Sequence, residues 1–428
     1  MSRSSLSLWC SQAFVSLRYP AFRLYWISQI ISLVGTWLQN TAQSYLVLEM
    51  TGSSALLGWV SATFFMPTLL LSVWVGTLLD HLHRGRMLQI TQIVLAFNAL
   101  LTGILLQTGN LSVPLIFVVV FISGCANAFN MPSRQTMAAG FVPKGQLPNA
   151  LALNNLSFNL SRTAGQVLFG VVVPLFSWLF AYTSKDLSRL SIPFYWNAVS
   201  FAVTLFLQRS LPIEPPKGKG VLDLSRFWND TKVGLMYVVR HPVIRPTLLL
   251  VAVVSTFLIN FQVLVPYFAK QVFHLGEMGF GLLNAIFGLG SMVGALYQAS
   301  QSSTLRNLRR ASLVLAFALM GFSLSGTVFL AAGCLFACGF CSMVVLISAN
   351  GTVQLAVQDV LHGRVMSVYS TVVIGVSPIG AVLSGFLISK GAHFGTWSMA
   401  ALGLLCVLIL WRQIPREQKN KTATSRKN

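Results

Sequence analysis

Apolar runs of about twenty residues or more, separated by short polar turns, follow one another along almost the whole chain. About 20 apolar residues as a helix cross the hydrocarbon core of a bilayer, so this pattern predicts an all-α membrane protein. Twelve transmembrane helices are expected near 22–48, 54–79, 87–108, 112–133, 149–178, 192–209, 244–269, 279–300, 311–330, 332–355, 364–389 and 394–412. The ninth and tenth are divided by a short gap near 330.

Several runs are interrupted at helical spacing by polar residues. The first span places Gln29, Ser32, Thr36, Gln39 or Asn40, and Gln43 three to four residues apart, a stripe of about 21 Å. Trp37 lies beside it. The fourth span repeats the device with Ser123, Asn127, Asn130 and Arg134, and the fifth with Asn155, Asn159, Arg162 and Gln166. The later spans are sparser: Asn260; Asn284 with Ser291 and Gln298; Asn350 with Gln354. A single amide can simply bond a neighbouring helix. Aligned stripes predict a polar cavity between helices, and amides among aromatic surfaces suit an amphipathic organic molecule.

Sliding the chain by 215 residues brings Ala152–Gly170 onto Ser367–Gly385, with Gly165 over Gly380 and Gly170 over Gly385. The fifth and eleventh spans become equivalents, as two parallel six-helix repeats require. The organisation expected is a lead-in over 1–21, a six-helix bundle over 22–209, a linker over 210–243, a second bundle over 244–412 and a basic tail over 413–428. The linker carries Pro212, Pro215 and Pro216 and then an amphipathic surface helix from Leu224 to Arg240, with Trp228, Leu235 and Tyr237 toward lipid or protein.

Composition sharpens this picture. Charged residues make up 9% against 55% hydrophobic, with a formal net charge of +20. Only Lys185, Arg189, Lys270 and Lys390 fall in loops on one side; the excess on the other puts both termini in the cytoplasm of an inner-membrane protein. Lipid headgroups, not nucleic acid, are the partner such dispersed charge implies. No cleavable leader is evident. Cys334, Cys338 and Cys341 share one helical face, which reads as a soft-metal site or as small residues letting helices approach; the second is preferred, and neither cofactor nor metal is expected.

Arg162 belongs near the bilayer midplane, either as an anchor for an anionic or carbonyl-rich substrate or as a structural bond to the carbonyls of a broken helix. Glu49, at the end of the first helix, is the carboxylate nearest to mid-membrane. It is the candidate for proton coupling, with Arg134 as a second possible coupling residue, against the plainer reading of a helix-end carboxylate in interfacial water. No nucleophile and base pair, zinc-ligand spacing or phosphate-binding glycine loop is present, so an enzyme is not expected and an ion gradient is the energy source implied.

The segment Gly76-Thr77-Leu78-Leu79-Asp80-His81-Leu82-His83-Arg84-Gly85-Arg86 puts a carboxylate and two arginines into one turn between apolar helices. Together with Phe22-Arg23-Leu24-Tyr25-Trp26, Ser32–Trp37, Thr51-Gly52-Ser53, Val142-Pro143-Lys144, Leu147–Asn154, Gly281-Leu282-Leu283, Gly288-Leu289-Gly290 and Gly363-Arg364-Val365, it resembles the major facilitator superfamily over essentially the whole chain. The branch is that of enterobactin-exporter-like and macrolide-efflux-like transporters. The resemblance implies two pseudo-symmetric six-helix bundles and export of a siderophore or drug-like molecule by alternating access. It also implies a latch of Gly76, Asp80, Arg84 and Arg86 against Gly363 and Arg364. The chain departs from the pattern at His81, His83 and His362, at Gln166 where the branch has proline, and at Gln298. A monomer is expected. A lysophospholipid flippase, a nutrient importer or a membrane sensor are the alternatives.

Overall fold

The computed structural model describes residues 14–81, 83–183, 186–211, 224–301, 305–358 and 361–413, and all regular structure among them is helical. Six helices fill the first half: α1 (Pro20–Thr51), α2 (Ser54–His81), α3 (Arg84–Gln107), α4 (Val113–Gly140), α5 (Leu147–Leu179) and α6 (Ile192–Gln208). The linker helix is α7 (Leu224–Arg240). The second half holds α8 (Ile244–Phe257), α9 (Phe261–Tyr267), α10 (Glu277–Ala299), α11 (Leu305–Ser323), α12 (Val328–Ala356), α13 (His362–Gly375), α14 (Ser377–Ser389) and α15 (Ala392–Trp411).

Among the described residues, ten stretches are long and apolar enough to cross a membrane. Helices α1 and α11 fall short of that apolarity for visible reasons: α1 carries the polar stripe, and α11 opens with Arg306, Arg309 and Arg310. Both pack inside the assembly all the same, α1 on α5 and α6, α11 on α12 and α15. Counting α8 with α9 and α13 with α14 as single spans, the described residues form twelve spans in two sets of six, the architecture expected from the sequence.

Local chemistry fixes the helix ends. Pro20 opens α1, where a missing N–H costs nothing, and Gly52 closes it at φ 62°, its N–H bonding the Leu48 carbonyl at 2.9 Å. The ninth span ends at Ser323, short of the expected 330, because Thr327 caps the next helix by accepting from the Leu330 N–H. The seventh span, expected to be continuous over 244–269, is broken between α8 and α9. There the Asn260 amide donates to the Thr256 carbonyl at 2.7 Å and competes with the helix ladder, and a π turn over Phe268–Val272 extends the span. The eleventh is interrupted at Val376, two residues before Pro378, which has no N–H to donate. The described part of the lead-in expected over 1–21 holds a 3₁₀ turn at Val15–Arg18 that leads directly into α1.

The halves meet along two seams, α5 on α10 and α2 on α13–α14. Glycines let backbones touch there: an added Cβ on Gly281 would lie 2.8 Å from Gly170 Cα, and one on Gly58 2.5 Å from the Ala381 carbonyl oxygen. The 215-residue shift exchanges the two seams. Gly170 faces α10 as Gly385 faces α2, and Gly165 faces α1 as Gly380 faces α8 at Thr256 and Asn260. The repeat seen in the sequence is thus a repeat of packing.

Helix α7 has the expected extent, and Tyr237 packs against the core. Leu235 is exposed, whereas Gly234 and Val238 are buried, and an added Cβ on Gly234 would meet Arg364 at 3.1 Å. The small residue decides the contact, because it lets α7 lie directly on the start of α13.

Candidate functional site

A chamber lies between the halves. Trp37, Asn40, Thr41, Gln43 and Ser44 of α1, Ser61 and Phe64 of α2, Gln166 of α5, Gln262 of α9, and Phe280 and Asn284 of α10 line a cavity of about 60 Å³. A second compartment of about 210 Å³ shares Ser61 and Gln262 and adds Asn260, Ser255 and Ser377. A drug-sized ligand needs roughly 300–1,000 Å³, so these walls must part to admit one.

One end of the chamber is sealed. Tyr45, Phe169 and Phe280, from α1, α5 and α10, stand with ring centroids 5.6 Å apart in each pair. Beyond them runs a chain of charges. Lys270 Nζ lies 2.6 Å from Glu49 Oε2, Glu49 lies 3.9 Å from Arg189, and Arg189 Nη2 lies 2.8 Å from Glu277 Oε1. Lys270 and Glu277 come from the second half, Glu49 and Arg189 from the first, so both principal pairs cross between halves. Arg189 is held further by the Asp186 carbonyl at 2.7 Å. The Asp186 carboxyl is kept below its ordinary range by hydrogen bonds from the Ser188 hydroxyl and N–H.

Other polar groups go to several places. Trp37, Asn40, Gln43, Gln166 and Asn284 meet in the first compartment and Asn260 lines the second. Arg162 lies beside them, its Cζ 5.9 Å from the ring centroids of both Trp37 and Phe287. Its Nη2 donates to Asn159 Oδ1 at 3.2 Å and its Nε has no partner. A bond to the carbonyls of a broken helix, one of the two readings of this residue, is not what is seen. Asn159 itself donates to the Asn155 carbonyl, and Asn155 is exposed.

The fourth-span stripe does not reach the chamber. Asn130 donates to Thr91 of α3, Ser123 accepts from Asn98 of α3, and Asn127 folds back on the Ser123 carbonyl. The bonds of Asn130 and Ser123 are the buried interhelical bonds that amides make when no cavity is near, while that of Asn127 stays within α4. Thr36 bonds the Ser32 carbonyl, and Ser32 and Gln29 are buried away from either compartment, Gln29 with both amide atoms unpartnered. Gln39 pairs with Asn197 of α6 at 2.6 Å, which makes Asn40 the chamber-facing member of that ambiguous pair. The Arg134 carbonyl accepts from the Tyr25 hydroxyl at 2.7 Å. The expected coupling carboxylate, Glu49, belongs to the seal.

Of the latch, Arg86 is exposed in the first turn of α3 and Arg364 is covered by α7. Gly363 has open space around it. The side chains of Asp80 and Arg84, and the surroundings of Gly76, lie outside what is described, as does most of the basic tail.

Residues not named from the sequence include Ser61 and Gln262 in the chamber and Glu277 in the seal, and Arg189 and Lys270 were marked only for their side of the membrane. A signal existed for the seal: the few charges on that side include acids as well as bases. Their pairing depends on which helices adjoin, which spacing does not reveal. A larger groove of about 580 Å³ in the first half is lined mainly by apolar residues such as Ile31, Phe176, Trp196 and Val199, with Gln107 and Tyr195 among them.

The family described as Transmembrane secretion effector matches residues 11–428. The Staphyloferrin A transporter of Staphylococcus aureus is 22% identical over 412 residues, 94% of this chain and 98% of that one. Macrolide efflux protein A of Streptococcus pyogenes is 22% identical over 416 residues, 93% and 96% of the two chains. Among solved structures, the inward-open xylose transporter XylE from E. coli superposes with a TM-score of 0.66 at 13% identity, covering 93% of this chain and 98% of the other; at that identity the likeness is one of fold.

Proposed function

We propose, from the premise that the chain belongs to the transmembrane secretion effector family of the major facilitator superfamily, that it exports an amphipathic small molecule by alternating access. The observation carrying this reading is the chamber: polar side chains from both halves converge on it, and its seal is built from contacts between the halves. Such a seal can open only by moving one half against the other. Two six-helix units, 22–209 and 244–412, are the bodies we take to move, with the arginine-rich helix ends on the cytoplasmic side of the inner membrane. Efflux proteins among the relatives support export over import, and the absence of a nucleotide-binding motif favours an ion gradient as the driving force.

Comparison of culture supernatants from a deletion strain and its complemented counterpart, with iron limitation as one condition, tests this. Loss of a compound from the medium together with its accumulation inside the deletion strain is expected; identical supernatants and cell extracts would refute it. The mainly apolar groove of the first half favours lipid handling as the second reading, which predicts movement of a labelled lysophospholipid instead.

Three further outcomes are expected. Asp80→Asn reduces export while expression and folding persist, since the carboxylate is what the latch closes on; export at the parental rate would remove the latch from the mechanism. Asn130→Leu lowers the melting temperature, losing a bond of about 1 kcal/mol, and leaves the transport KM unchanged. Asn284→Ala does the reverse, raising KM at unchanged melting temperature. A KM shift for Asn130→Leu would return the fourth-span stripe to the transport path.

A further inference from the structure

The charge balance of the chamber points to more than amphipathicity. Arg162 stands midway along the 33 residues of α5, too far from either end for its guanidinium to reach water along the helix. The chain has nine acidic residues. Glu49, Asp186 and Glu277 stand at the sealed end. Among the described residues, no carboxylate stands beside Arg162. A cation held in a low-dielectric setting without a counter-charge is costly, and a structural role would be expected to satisfy it. Its single described hydrogen bond, to the neutral amide of Asn159, does not.

The unpartnered buried atoms around it include one acceptor, Gln166 Oε1, which is neutral and leaves the positive charge uncompensated. Arg162 Nε and Trp37 Nε1 are both buried N–H donors with no partner. Gln166, one turn beyond Arg162 on the same face, and Trp37 both line the chamber. The rings of Trp37 and Phe287 flank the guanidinium on α1 and α10, so residues from both halves hold it. A donor set carrying one positive charge, flanked by aromatic faces, suits a carboxylate or another oxyanion attached to an apolar or aromatic body. It disfavours an organic cation, which would find like charge and no acceptor of opposite sign.

We infer that the transported molecule is an amphipathic organic anion whose acidic group is taken by Trp37 in the chamber wall and by Arg162 beside it. This rests on the transport reading given above and specifies its substrate class. It also gives Arg162 a part in the cycle: an entering anion supplies the missing counter-charge, so the loaded chamber is cheaper to close than the empty one.

The test uses the cell's own small-molecule pool as the probe. A deletion strain carries the parental protein, Arg162→Lys or Arg162→Gln, and each supernatant is split on an anion-exchange resin before mass spectrometry. The compounds that depend on the parental protein are expected in the retained, acidic fraction. Arg162→Gln should lower their export about ten-fold or more, the scale of a lost hydrogen bond to a charged group, and Arg162→Lys should restore most of it. Melting of the purified full-length variants separates this from misfolding: equal export by the Gln and Lys forms, or a Gln form that is inactive only because it is unfolded, overturns the inference. Dependent compounds that are neutral or cationic also overturn it while leaving the transport reading standing. A supernatant that does not depend on the protein at all defeats the transport reading itself.

Discussion

Replacing Glu277 by Gln is expected to shift the balance between sealed and unsealed forms by roughly 30- to 150-fold and to slow transport accordingly. The argument begins with Arg189, whose side chain is 4% exposed and whose principal partner is Glu277. Removing one partner of a buried pair costs about 3–5 kcal/mol, because a desolvated charge is left behind. Here Glu277 is 18% exposed and Glu49 remains 3.9 Å from the guanidinium, which reduces the cost to about 2–3 kcal/mol. The reverse change, Arg189→Met, should do less harm, since the carboxylates it abandons are about one-fifth exposed and can be hydrated. The two variants therefore rank in an order that a count of salt bridges would not give. A cysteine introduced at Ser61, labelled by an impermeant maleimide added from the sealed side, reads the opening directly. Labelling of Glu277→Gln no faster than the parent would mean that the aromatic trio alone holds the seal.

The second large effect is steric. Gly58→Val and Gly281→Val should each abolish most transport, by more than about ten-fold, in protein that still inserts. At Gly58 an added Cβ meets the Ala381 carbonyl oxygen at 2.5 Å and Gly385 Cα at 3.2 Å; at Gly281 it meets Gly170 Cα and N at 2.8 Å. These neighbours are backbone atoms and cannot rotate aside, so the helices must separate. Overpacking of this kind costs typically about 1–3 kcal/mol, and both seams join the halves. Gly333→Val, with nothing within 4 Å of its added Cβ, is the control and should transport normally. Parental rates in Gly58→Val would show that α2 and α14 need not approach so closely during the cycle.

Much of the architecture was legible before any coordinates. Hydrophobic run length marked out the twelve spans because a bilayer sets a length that each must meet. The glycine register between the fifth and eleventh spans announced the pseudo-symmetry that the paired seams display. The breaks in the seventh and eleventh spans were harder to read: apolarity continues through both, while one side-chain amide and one proline decide the backbone. The site was only half legible. Stripes in the first and fifth spans led to Trp37, Asn40, Gln43 and Gln166, yet the equally regular stripe of the fourth led to Asn130 on Thr91.

Sequence alone determined that this is a helical, twice-repeated membrane protein with little charge to spare, because length, periodicity and composition act locally along the chain. Tertiary structure alone decided which polar groups face a void and which face one another. An amide behaves the same way in either place until a neighbouring helix supplies or withholds its partner. The seal is the clearest instance: Glu49, Arg189, Lys270 and Glu277 are up to 228 positions apart in the chain (277 − 49), and only the meeting of the two halves makes them one device.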